Sequence, residues 1–263
     1  MNQPGFRRML QKICMILVLS ESINAFTTSH LGKCMPQNVQ PQTHHRFRSP
    51  CLLSSPSPNT DSEAASSVRF LGRGSNAIVR PGVVLIAPSD EFHHFMRESA
   101  VFIYAMGLDD ADEYVIRGVI IDHPTAFTIG EMMDGVKDDV NAAPVFSNLL
   151  YRGGDMGGES AFMLHSDEEI AKMADQDMVG TSGIYQGGLE YAVSSSDFDT
   201  KKAKFFFHFL EFTEQELENM LVDSESDGDG WVSVEIPSNM VLSSEYDRGD
   251  AWARLRNVVR EYK

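Results

Sequence analysis

Five histidines past residue 67 (His93, His94, His123, His165 and His208) are the side chains best placed by type to move protons near neutral pH. None stands in an H-x-H or H-E-x-x-H spacing, the patterns that aim two imidazoles at one metal. Two have acids close by in sequence: Asp90 precedes His94, and Asp122 adjoins His123. If two strands bring these pairs together, they form a metal or acid/base cluster. His123, Asp122 and His94 are therefore the candidate catalytic residues, and the chemistry they would do is metal-assisted hydrolysis. Histidines in such settings more often lie on loop surfaces or are hydrogen-bonded in a core. Serine, histidine and acid are all present for a triad, but no Gly-x-Ser-x-Gly elbow occurs.

Other constellations are weaker. Asp223-x-Glu225-x-Asp227-Gly228-Asp229 imitates the start of a calcium-binding EF-hand loop. That loop closes with a bidentate Glu at its twelfth position, where this chain has Val234, so the run reads as an acidic turn between a helix and a strand. The run Gly153-Gly154-Asp155-Met156-Gly157-Gly158 could cradle an anion with its amides, yet it holds an Asp and no Lys, and a hairpin connection is the simpler reading. Lys201, Lys202 and Lys204 read as a solvated start to a strand. All three cysteines, Cys14, Cys34 and Cys51, lie before residue 52, which leaves the rest without thiolate, disulfide or Cys-based metal site. No metal ligand set and no cofactor is assigned.

The elements that must position these residues alternate irregularly. Val83 to Ala87, Ala100 to Met106 and Tyr114 to Asp122 are β-branched and aromatic runs that read as buried strands, with Gly107 to Glu113 as a solvated acidic loop. Glu91 to Arg97 suits one or two helical turns. Thr128 and Glu131 form a capping box for a short helix, and Asp134 to Phe146 reads as a long loop. Leu149 to Arg152, Ser160 to His165 and Gly183 to Gln186 are short strands. Leu189, Ala192 and Val193 share a helical face. Ala203 to Leu210, with Phe205, Phe206, Phe207 and Phe209, is too apolar to face water and reads as a central strand. Thr213 and Glu216 cap a helix to about Val222, Val232 to Ile236 is a last strand, and Trp252, Leu255, Val258, Val259 and Tyr262 recur at helical spacing. The pattern is α+β in a single domain.

Within that pattern, Pro81-Gly82-Val83-Val84-Leu85-Ile86-Ala87-Pro88, Gly118 to Pro124, and Tyr151-Arg152-Gly153-Gly154 followed by Phe162-Met163-Leu164-His165 resemble, in order and spacing, the motifs of the AlgH/YqgE-like family. The resemblance spans roughly residues 80 to 262. It implies a compact α+β fold with a small β-barrel-like mixed sheet flanked by helices, and no established catalytic activity. Gly153, Gly154 and His165, which lie in these motifs, are the candidates for ligand contact. The family's Asn-Arg-Pro is Asp122-His123-Pro124 here, which removes a cation, and its Gly-Tyr-Ala-Gly-Trp is His208-Phe209-Leu210-Glu211-Phe212.

The first 67 residues read as an address. Arg7, Arg8 and Lys12 precede the apolar run Ile13 to Leu19, too short to span a bilayer, and Asn24-Ala25-Phe26 follows. This is a signal peptide over residues 1–25, and the Ala-Phe junction resembles that of plastid presequences in diatoms and related algae. From Phe26 to Ser67 there are twelve Ser or Thr and five Pro, with only Asp61 and Glu63 acidic. Residues 26–75 therefore read as a Ser-rich, disordered transit peptide, and residues 76–263 as the AlgH/YqgE-like domain. The expected destination is the plastid stroma; secretion is the alternative. Setting aside residues 1–67 takes the 22 basic and 38 acidic groups to 16 and 35, a formal charge of −19. A surface so acidic repels phosphate backbones and anionic lipid, so neither nucleic acid nor, for the mature form, membrane is an expected partner. A protein or small molecule is, its identity unknown. The function expected is a non-catalytic regulatory or binding protein; the alternative is an unrecognised enzyme.

Overall fold

The computed structural model describes residues 68–91, 93–132, 143–223 and 229–260. Ten strands follow one another as β1 (Arg69–Arg73), β2 (Val84–Ile86), β3 (Ala100–Leu108), β4 (Tyr114–Ile120), β5 (Pro124–Thr128), β6 (Leu149–Arg152), β7 (Met156–His165), β8 (Tyr185–Gln186), β9 (Ala203–Thr213) and β10 (Val232–Glu235). Among the described residues six α-helices accompany them: α1 (Ile129–Met132), α2 (Glu168–Met173), α3 (Leu189–Ser194), α4 (Glu214–Asp223), α5 (Ser238–Leu242) and α6 (Asp250–Val259). All strands join one mixed sheet in the order β1-β10-β2-β3-β4-β9-β6-β5, with β7 added on β9 and β8 on β7. The fold is α+β as expected. The sheet does not close into a barrel, since β1 and β5 stand at opposite ends of that order.

Alternation of side chains along the strands explains why the sheet is buried on both faces. Phe102 and Tyr104 join one core cluster and Val101 and Ile103 another. The first cluster is covered by Val241 of α5 and Leu255 and Val259 of α6, the second by Leu217 and Leu221 of α4. A third cluster gathers Ile129, Val145, Phe146, Leu150, Met163, Ile170 and Phe205 under α1 to α3. Neighbours on β9 split the same way: Phe205 enters the third cluster and Phe206 the first, both with no more than 1% exposure.

The capping boxes are present. The Thr128 and Thr213 amides donate to Glu131 and Glu216, at 2.8 and 2.9 Å, and each glutamate's amide is answered by the threonine hydroxyl. Within the stretch expected to make one or two helical turns, His93 to Arg97 makes a single turn, in which the Met96 and Arg97 amides both donate to the His93 carbonyl. Two features depart from the sequence expectations. First, the sheet takes in residues ahead of position 76: Arg69 to Arg73 pair with β10, and Arg69 Nε lies 2.9 Å from Glu235. Second, the glycine run is not a hairpin connection.

β6 lies parallel to β9 through Leu150↔Phe205 to Arg152↔Phe207, while β7 lies antiparallel to β9 through Ala161↔Phe207 to His165↔Ala203. The link Gly153-Gly154-Asp155 therefore carries the chain from one edge of β9 to the other. It crosses where β9 is kinked at His208, whose φ is +58°, and beyond this kink β9 pairs with β4. A Cβ on Gly154 would stand 2.2 Å from the Phe209 carbonyl carbon, so only glycine permits the crossing.

Candidate functional site

Of the three candidate catalytic residues, the fold joins two. Asp122 ends the turn after β4 and is buried, its side chain 1% exposed, while the neighbouring His123 is about one-third exposed. His123 Nε2 lies 3.9 Å from Asp122 Oδ1. Neither carboxyl oxygen of Asp122 makes a hydrogen bond of full geometry, although the Trp252 amide approaches closely enough to favour its charge. Burial pushes this carboxyl up to about 7, against the pull of the Trp252 amide and the Lys204 charge. Burial, aided by the Arg152 charge, lowers His123 below its ordinary value. The contact thus joins an imidazole and a carboxyl that burial biases, each, toward its neutral form, which is not an ion pair.

His94 stays on the exposed turn. Its ring packs at a tilt against Phe95, centroids 4.0 Å apart, and the Arg152 guanidinium lies 4.2 Å over the same Phe95 ring. Arg152 in turn donates its amide to the His123 carbonyl at 2.9 Å. Among the described residues no three His, Cys, Asp or Glu side chains converge as metal ligands. Most of the acidic run Asp223 to Asp229 lies outside the described residues.

Gly153 and Gly154 sit at the β9 crossing. The Gly153 amide donates to the Phe207 carbonyl and its own carbonyl accepts from Ile120, so this backbone already has partners within the sheet. His165, fully buried at the end of β7, accepts from the Asp167 amide at Nδ1 (3.2 Å) and meets Gln176 Oε1 at Nε2 (3.0 Å). With Nδ1 accepting, the proton sits on Nε2 and is donated to Gln176. Burial lowers the affinity of His165 for a second proton. Asp167 caps α2 by accepting from the Glu169 and Ile170 amides, so His165 helps to hold that helix start.

The densest ionisable cluster was not among the candidates. Lys204 is not solvated: its side chain is 2% exposed, and Nζ donates to the carbonyls of Ile121 (2.7 Å) and Ser243 (3.1 Å) and to Asp247 Oδ1 (3.3 Å). Its ammonium also lies 4.2 Å above the Tyr151 ring, and the Tyr151 hydroxyl donates to Asp247 Oδ2 at 2.8 Å. Burial draws Lys204 down to about 8, while Asp247 and Asp122 favour its charge. Burial and the Asp247 contact push the Tyr151 hydroxyl well up. The overlooked signal is periodic. Lys204 lies two residues before Phe206 on a strand, hence on the same face, and that face is core.

A cavity of about 300 Å³ opens beside this cluster, lined by Asn148, Tyr151, Lys201, Lys204, Ser243 and Glu245 among others. Asn148 donates to the carbonyls of Thr200 and Ala203, and its buried Oδ1 has no partner.

A mixed sheet clad by helices, threaded by a glycine crossing and pinned by an internal Lys-Asp-Tyr cluster, defines an α+β domain built around its core. The AlgH-like family (DUF179) matches residues 92–260, and the chain belongs to that family. β1 and β2 precede the matched span. No curated protein matches the chain. Among solved structures, the protein DIP2367 from Corynebacterium diphtheriae is 16% identical, with a TM-score of 0.49, over 72% of this chain and 89% of that one. The AlgH protein from Pseudomonas aeruginosa is 13% identical, with a TM-score of 0.46, over 69% of this chain and 87% of that one.

Proposed function

We propose that this AlgH-like protein is a non-catalytic binding or regulatory protein of an algal plastid. The observation that supports the first half is that, outside the Asp122–His123 contact, the buried groups equipped for chemistry are committed to internal partners. All three protons of the Lys204 ammonium are donated, the Tyr151 hydroxyl is held by Asp247, and both nitrogens of His165 are engaged. Such groups brace a core and offer nothing to a substrate. The plastid destination rests on the Ala25-Phe26 junction and the acid-poor, Ser-rich segment behind it. The charge of −19 on residues 68–263, reached from 16 basic and 35 acidic groups, argues against nucleic acid as a partner.

The second reading, an enzyme using His123 and Asp122, draws on their 3.9 Å contact. Metal analysis of the purified protein, with a His123→Ala control, separates the two. We expect no stoichiometric metal in either; a stoichiometric metal lost with His123→Ala overturns the non-catalytic reading. For the destination, residues 1–67 fused to a fluorescent reporter should reach the plastid, and Phe26→Ala should misdirect it. Reporter held in the secretory pathway with the native segment refutes that half.

A further inference from the structure

A second surface, sharing no lining residue with the cavity beside Lys204, has the form of a docking groove. α4 packs Leu217 and Leu221 inward against Ile116 of β4, and the cleft left between them has a volume of about 500 Å³. Its floor is apolar, and its lip is formed by Met106, Tyr114 and Val222, of which Tyr114 is 43% exposed and Val222 46%. Leu108, paired with Tyr114 across the β3–β4 ladder, is 47% exposed just beyond. Water is a poor neighbour for so many adjacent apolar side chains, and such a concentration marks an interaction site.

Charge and strand pairing narrow the occupant. The ten lining residues include Glu214 and Glu218, one helical turn apart on the exposed side of α4, and no Lys, Arg or His. Beyond Tyr114 the β3–β4 loop adds Asp109, Asp110, Asp112 and Glu113, a turn held by Asp109 accepting the Ala111 and Glu113 amides. The groove is therefore apolar inside and acidic along its rim. β4, which contributes the floor, is already paired on both sides, with β3 and with β9, so β4 itself offers no edge to an added strand.

We infer that this groove docks a short amphipathic helix of a partner protein, with apolar residues at i, i+3 or i+4 and i+7 seated between Tyr114 and Val222, and Lys or Arg lying over Glu214 and Glu218. The inference goes beyond the proposed function and holds whether or not the protein is also an enzyme. The probe is a fluorescein-labelled, 15-residue helical peptide with Leu on one face and Lys on the other. It is set against the same peptide with Glu in place of Lys, and fluorescence anisotropy is read with the purified full chain. The Lys peptide should bind at least tenfold more tightly than the Glu peptide. The double change Glu214→Lys with Glu218→Lys, and separately Val222→Arg, should each weaken it at least tenfold. An equal double reversal at Glu169 and Asp177, around α2 on a different core cluster, should leave binding within twofold. Comparable loss from that distant pair would reveal general attraction to an acidic protein and overturn the inference, as would no binding of the Lys peptide. Self-association of the parent in sedimentation, abolished by Val222→Arg, would assign the groove to a second copy of the chain and equally overturn it. Should Val222→Arg fail to fold by circular dichroism, the α4 double reversal decides alone.

Discussion

Replacing Asp122 by Asn should make the protein more stable at alkaline pH. The carboxyl is buried with neither oxygen in a fully formed hydrogen bond, and its pKa rises from 3.8 to about 7. A raised acid favours the folded state at low pH. Between about pH 4 and 7 the unfolded chain has released a proton that the folded chain still holds, so stability falls as pH rises, and the loss is complete once pH passes about 7. About three pH units at roughly 1.4 kcal/mol each give a penalty of about 4 kcal/mol at pH 8. Asn abolishes the ionisation while retaining an amide of similar size. That amide is as poorly partnered as the protonated carboxyl, at about 1–3 kcal/mol, so this cost largely cancels in the comparison. Lys204 loses one favourable charge but keeps Asp247. The expected net gain at pH 8 is about 2–4 kcal/mol, shrinking to within about 1 kcal/mol at pH 4.5. Urea unfolding of parent and variant at pH 4.5, 6 and 8, with unchanged m-values, measures it. A difference that does not vary with pH, or a parent more stable at pH 8, would refute the reasoning.

Two other changes probe the core. Phe206→Ala empties the centre of β9 and should cost about 3–5 kcal/mol in the same assay, whereas Phe207→Ala, at a half-buried position, should cost clearly less. Lys204→Met leaves Asp247 and the carbonyls of Ile121 and Ser243 without their donor and should cost about 3–5 kcal/mol at pH 7. Because Lys204 is drawn down to about 8 from 10.5, the unfolded chain binds the extra proton over that window, and parent stability should rise with pH there. The Met variant should lack that rise, and equal slopes would contradict the assignment.

The elements most legible in the sequence are those whose pattern is local. β3, β4 and β9 declare themselves by apolar runs, α6 by its helical spacing, and α1 and α4 by their Thr-x-x-Glu boxes, since each signal is contained within a few residues. β1 and β5 carry no such signal. Arg69–Arg73 is short, with Arg at both ends, and Pro124–Thr128 begins with Pro and is at most half-buried; both lie at the ends of the sheet order, where one missing neighbour relaxes the demand for apolar residues. Composition and charge, the presequence-like first 67 residues and the contact of Asp122 with its neighbour His123 are likewise properties of the chain read in order. Tertiary structure alone decided that β6 runs parallel to β9, that Gly153 and Gly154 form a crossing, and that Lys204 is internal. The acceptors that reconcile that charge with burial, Ile121 and Asp247, lie 83 and 43 positions away from Lys204, and the Tyr151–Asp247 bond spans 96. A buried ion is stabilised by groups that only folding brings within 3 Å or so, and no local pattern encodes their arrival.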